Sequence, residues 1–272
     1  MGELDKFTGK SVTTKPSTSV AKNSSQLPSW TQKPAAGKTS AADNILRSAN
    51  ARFAIALDAT GSMSGLIDMA KGAVSEILKR VMSGAGRPVE IMLVAYRDYD
   101  VPNDTVVTSK PTKDANTLIA WLNTISAHGG GSNDGEAVEL ALEAIASEGQ
   151  FDAIMLAGDE PPNSRTFITR EKGKDAKIAE DFARHFAQAK TPIHTFVVGH
   201  DNRTVEAFRK IASISGGQSG KMDGSAEMID MAVMAMLAKM KGSEGVKAYM
   251  RDYHLTSQAA DFGKLLLEGP KK

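Results

Sequence analysis

The chain has 272 residues, 41% of them hydrophobic and 24% charged, ordinary values for a soluble globular protein with ample material for a core. A net charge of +1 gives no general pull toward nucleic acid or an anionic membrane, so neither is expected as a partner. Cysteine is absent, which excludes disulfides, thiolate metal sites and cysteine nucleophiles. No apolar run reaches the ~20 residues a bilayer requires, and the first residues, MGELDKFTGK, lack a signal-peptide core; a cytoplasmic protein is expected.

Residues 1–48 read as a disordered arm. Its first forty residues hold thirteen Ser or Thr, six Lys and three Pro, with little to bury apart from Trp30. Such a segment cannot offset the entropy of ordering it. It reads either as a docking arm, ordered on a partner or a neighbouring subunit, or as a solubilising tail.

From Ala51 the texture becomes alternating strand and helix. FAIALD (53–58) is a short buried strand, and SGLIDMAKGAVSEILKRVM repeats its apolar residues at spacings of three and four, predicting an amphipathic helix. VEIMLVAY (89–96) is a second strand, and the more polar TVVTS (105–109) is placed at an edge. A helix over Asp114–Ile125 precedes the turn HGGGSND, and another is predicted from Gly135 to Ala146. FDAIMLA (151–157) is a buried strand ending in GDEPP. A charged loop leads to the helix KDAKIAEDFARHFAQAK, then come the strand TPIHTFVVG, the helix VEAFRKIASI, a short strand in GGQSGKM and the helix SAEMIDMAVMAMLAKM. The Met-rich face of that helix (Met228, Met231, Met234, Met236, Met240) reads as core filler. Residues 242–272 form a tail whose Tyr249, Tyr253, Leu255, Phe262 and Leu265 are too apolar for pure solvation; it either folds back or docks elsewhere.

This alternation predicts an α/β fold, a doubly wound and mostly parallel sheet covered by helices on both faces. Ligands of such sheets bind outside the carboxyl ends of the strands. Three oxygen-rich stretches converge there: DATGSMS, HGGGSND and GDEPP. A Walker loop and a dinucleotide fingerprint are both missing. GSMSG imitates a nucleophile elbow, but its centre is Met63. An aspartyl phosphohydrolase built on Asp58 and Asp159 would need a second aspartate two residues after the first, where Thr60 stands. A hard divalent cation fits better. Mg²⁺ or Mn²⁺ takes about six oxygen ligands and keeps several waters. Thr60 and Ser62 offer neutral hydroxyls, while Asp58 and Asp159 offer charge. The alternative without metal has Asp58 and Ser62 merely capping a helix.

Asp58-x-Thr60-x-Ser62 resembles the Asp-x-Ser-x-Ser motif of von Willebrand factor type A domains, the metal-ion-dependent adhesion site. GGSNDGEAVELAL resembles that family's second loop, with Ser132 in its threonine position, and Asp159 in IMLAGDEPP fits the third. The resemblance covers residues 49–241. It implies a six-stranded, Rossmann-like sheet in the order 3-2-1-4-5-6 with a short antiparallel edge strand. It further implies a Mg²⁺ (or Mn²⁺) held by Asp58, Thr60, Ser62, Ser132 and Asp159, with the neighbouring Asp134 as a competing ligand. A partner protein would complete the shell with an Asp or Glu. The expected function is therefore cation-dependent protein binding without catalysis, in a homo-oligomer or larger assembly. YRDYD and GDEPP resemble intracellular bacterial members, such as those of stress-response or phage-related assemblies. A metal-free structural subunit that assembles through its tails is the competing reading.

Overall fold

In a computed structural model, which describes residues 50–85, 87–131 and 135–269, six strands form one sheet. They are β1 (Ala51–Asp58), β2 (Val89–Tyr96), β3 (Val106–Thr108), β4 (Ala153–Gly158), β5 (Ile193–Val198) and β6 (Ser219–Met222). The order is β3-β2-β1-β4-β5-β6, parallel throughout except that β3 runs antiparallel to β2 at the edge. This is the order and edge strand expected. Residues 1–48, read from sequence as an arm, and Ser132 and Asp134 in the second loop, lie outside the described residues.

The period of two in β1 sorts its side chains onto two cores. Phe53, Ile55 and Leu57 face one helical layer, formed by α1 (Ser64–Ala85), α2 (Ala115–Leu122), α7 (Ser225–Asp252) and α8 (Ser257–Glu268). The smaller Ala54 and Ala56 face the other, formed by α3 (Val138–Glu148), α5 (Ala179–Gln188) and α6 (Asn202–Ser215). Both faces of the strand are buried, which is why it reads as a continuous apolar run. Met228, Met231, Met234 and Met236 are buried in the first core, as their spacing predicts.

Four elements differ from the sequence reading, one of them α5, which begins at Ala179, five residues into the stretch KDAKIAEDFARHFAQAK. The charged stretch after β4 contains a helix, α4 (Arg165–Lys172). Ser164 caps it by accepting from the Phe167 amide at 3.2 Å, and Ile168 is buried beneath it. Helix α3 starts at Val138, not Gly135, because Gly135 and Glu136 pack on the loop after β4 and the Ala137 amide donates to the Arg97 carbonyl after β2. Glu136 donates its amide to the Pro161 carbonyl, and its own carbonyl accepts from the Asn163 amide. A Cβ at Gly135 would sit 3.0 Å from the Asn163 backbone, so the two loops touch there. Finally, α7 continues past 241 through a kink at Gly242, where φ is 64°. The carboxyl-terminal segment then turns back as α8. Phe262 is buried in the first core, edge-on to Phe196 of β5 at 5.5 Å.

Candidate metal centre

The sheet order reverses between β1 and β4, and the crevice at their carboxyl ends is where such folds hold ligands. Asp58 ends β1, and Asp159 follows the last residue of β4. Gly158 lets them approach: a Cβ there would collide with the Tyr96 hydroxyl and lie 3.2 Å from Asp58 Oδ2.

The first loop folds back on its aspartate. Thr60 donates to Asp58 Oδ1 twice, from its amide at 2.8 Å and its hydroxyl at 2.7 Å. The chain then makes a single 3₁₀ turn over Gly61–Met63, anchored by Met63 in the core. That turn brings the Ser62 hydroxyl within 3.3 Å of the Thr60 hydroxyl. The glycine-rich loop is pinned alongside. His128 donates its amide to the Ala59 carbonyl, and the Gly61 amide donates to Gly129, both at 3.0 Å. Gly130, with φ at 87°, has no room for a side chain, since a Cβ would lie 2.7 Å from Thr60 Cβ and 2.9 Å from Glu136 Oε1. Asp100 fixes the same loop by accepting from the Gly130 and Gly131 amides.

Asp58, Thr60, Ser62 and Asp159 are thus gathered at one point, and Ser132 lies outside the described residues. Asp58 is fully buried, yet among the described residues neither its Oδ2 nor Asp159 Oδ1 has a hydrogen-bond donor. Burial pushes the Asp58 carboxyl up, Thr60's two hydrogen bonds pull it down, and neighbouring Asp159 adds to the rise. Arg97, 1% exposed, binds the Asp104 carboxylate at 3.1 Å and the Ser126 carbonyl at 2.7 Å; its charge is felt by Asp58, but no hydrogen bond joins the two.

A divalent ion fits this donor set. Two carboxylate oxygens stand unpartnered beside two hydroxyls, and hard cations take such oxygens. Among the described residues no three His, Asp or Glu side chains cluster tightly enough to hold a metal by themselves, so an ion here depends on the hydroxyls.

Sequence reasoning missed Glu136, Asp98 and Asn163, which line the floor of the site. Asp98 is fully buried and accepts from Asn163 Nδ2 at 2.9 Å. Glu136 is 2% exposed, with an unpartnered Oε2. One available signal was an acid within the GEAVELAL stretch at a position the apolar pattern buries.

A von Willebrand factor A domain family model matches residues 52–223. No curated protein matches the chain. Among solved structures, an aerotolerance-related membrane protein from Bacteroides fragilis is 14% identical, with a TM-score of 0.48 over 68% of this chain and 98% of that one. BatB from Bacteroides thetaiotaomicron is 18% identical, TM-score 0.47, over 70% and 98%. Proximal thread matrix protein 1 from the mussel byssus is 14% identical, TM-score 0.49, over 70% and 47%. Among the described residues no helix is long and apolar enough to cross a membrane.

Proposed function

Because the chain belongs to the von Willebrand factor A domain family, we propose that it is a protein-binding module whose contact is completed by a divalent cation. The observation that carries this reading is the pair of unpartnered oxygens, Asp58 Oδ2 and Asp159 Oδ1, beside the hydroxyls of Thr60 and Ser62. Mg²⁺ or Mn²⁺ would be held by Asp58, Thr60, Ser62, Ser132 and Asp159. With only two of these five anionic, the ion keeps an appetite for one further carboxylate, supplied by an Asp or Glu of the partner.

Catalysis is not part of the proposal. The residue two positions after Asp58 is Thr60, whose hydroxyl is spent on Asp58 itself and is no general acid.

The cation is tested by thermal melts in Mg²⁺, in Mn²⁺ and in EDTA. Binding to the folded state alone stabilises it by ~2.7 kcal/mol at ~100 times the dissociation constant. Wild type should melt higher with either metal, and Asp58→Ala should not respond. Equal melts with metal and with EDTA would end the proposal. The partner is tested by affinity capture: Asp159→Ala should lose, while still folded by circular dichroism, every protein that EDTA also releases from wild type.

A further inference from the structure

Glu136 is a buried acid with no ion-pair partner among the described residues. Its backbone is fixed on both sides by the loop after β4, through the Pro161 carbonyl and the Asn163 amide, which holds the side chain against the site. Its Oε1 lies beside Gly130 and Thr60, where a Cβ on Gly130 would meet Thr60 Cβ at 2.7 Å and Oε1 at 2.9 Å. Its Oε2 has no hydrogen-bond partner, and the residue is 2% exposed. Burial, with the charges of Asp58, Asp98, Asp159 and Asp100 adding to it, pushes its carboxyl up to about 9. Tyr96, whose hydroxyl donates to the Ala157 carbonyl, feels Asp58, Glu136 and Asp159 together, so the three acids border one spot.

A buried carboxyl in this position costs stability unless something cationic arrives. Among the described residues no three such acids are placed to grip one ion directly. A hard ion that keeps its waters resolves this. Mg²⁺ holds several waters, and their protons need acceptors.

We propose that Glu136 is an outer anionic partner of the cation, accepting a hydrogen bond from an ion-bound water and so raising affinity for the ion. The inference rests on the cation reading above and adds a residue to which neither the motif nor the family resemblance assigns a role. Partners of this outer kind typically change metal affinity 10- to 100-fold when removed.

The test is calorimetric titration of Mg²⁺ and of Mn²⁺ into the full chain freed of metal with EDTA, comparing wild type with Glu136→Gln, alongside melts in EDTA. Glutamine keeps the shape and removes the charge. Glu136→Gln should bind either ion at least ~10-fold more weakly, yet melt in EDTA at or above wild type, because an acid disfavoured by its surroundings is gone. A purely structural Glu136 would move the melt and not the affinity of the folded protein. Equal affinity in wild type and Glu136→Gln overturns the inference while leaving the cation reading intact. A variant that loses affinity only because it is unfolded in EDTA also overturns it. No uptake of either ion by wild type removes the cation reading and this inference together.

Discussion

Two buried aspartates in this chain live in opposite circumstances. Asp230, on α7, is 5% exposed and fully engaged: its Oδ1 accepts from Arg80 at 2.9 Å and from the Tyr249 hydroxyl at 2.7 Å. Arg80 in turn binds Glu76 at 2.7 Å and lies over the Tyr253 ring, which stacks on Tyr249. This network staples α1 to both halves of α7, across the Gly242 kink. Among the described residues Asp58 has no hydrogen-bonded counter-charge, only Thr60 on one oxygen and another acid beside it. Where a buried charge serves the fold, it is paired. The open oxygens of Asp58 and Asp159 at the crevice are what the proposed cation would satisfy.

The largest expected effect comes from breaking the paired region. Asp230→Ala removes the buried partner of Arg80 and should cost about 3 kcal/mol, the low end for such a pair because Arg80 keeps Glu76. Arg80→Ala should cost a similar amount, since it also removes the cover over Tyr253. The double variant should lose far less than the sum, because the residues share one network. Urea denaturation measures all three. Additive losses would show that Arg80 and Asp230 act separately.

The contrast also explains what the sequence disclosed. Strand β1 and Asp58 are legible because a continuous apolar run ending in clustered oxygens is a local pattern. The sheet order and edge strand came with the family resemblance, and the topology agrees. The Arg80–Asp230 pair is not legible, because 150 residues separate its members. Glu136 was hidden for a related reason. The apolar pattern of GEAVELAL suggests that a helix begins at Gly135, but the loop after β4 claims Glu136 and the Arg97 carbonyl claims Ala137, by backbone pairing that no local signal announces. Helix α4 was missed because its charged sequence carries a weak pattern, anchored by Ile168 and by Phe167 against Tyr99.

A third buried acid sits between these extremes and gives a smaller effect that depends on pH. Glu139 of α3 is 1% exposed; it accepts from the Tyr99 hydroxyl at 2.8 Å, and its Oε2 has no partner. Burial pushes its carboxyl up to about 7, against the pull of the Tyr99 hydrogen bond. The unfolded chain loses this proton near pH 4 while the folded chain keeps it. Stability is therefore fully present below about pH 4 and declines as pH rises to about 7, by at most about 3 kcal/mol. Glu139→Gln keeps the acceptor for Tyr99 and has no proton to lose. It should match wild type at pH 4 and exceed it at pH 8. Parallel stability curves for the two proteins would show that the group titrates as freely in the fold as in the unfolded chain.

The smallest effect, and the one that separates the two regions by sign, is Asp58→Asn in EDTA. Asparagine retains an oxygen to accept from the Thr60 amide and hydroxyl, so the loop keeps its two hydrogen bonds. What disappears is a buried charge facing Asp159, whose cost those hydrogen bonds only partly offset. Stability at pH 8 should therefore rise, by about 1 kcal/mol once the weaker hydrogen bonds from Thr60 to a neutral amide are set against the lost charge. Any loss at Asp230 is a loss under all conditions; this gain is confined to the metal-free protein. Adding Mg²⁺ at ~100 times the wild-type dissociation constant should lift wild type by ~2.7 kcal/mol and leave Asp58→Asn nearly unmoved, so the order of stability reverses. If Asp58→Asn is less stable than wild type in EDTA, Asp58 is holding the fold as Asp230 does, and the open oxygen at the crevice is not a vacancy kept for a cation.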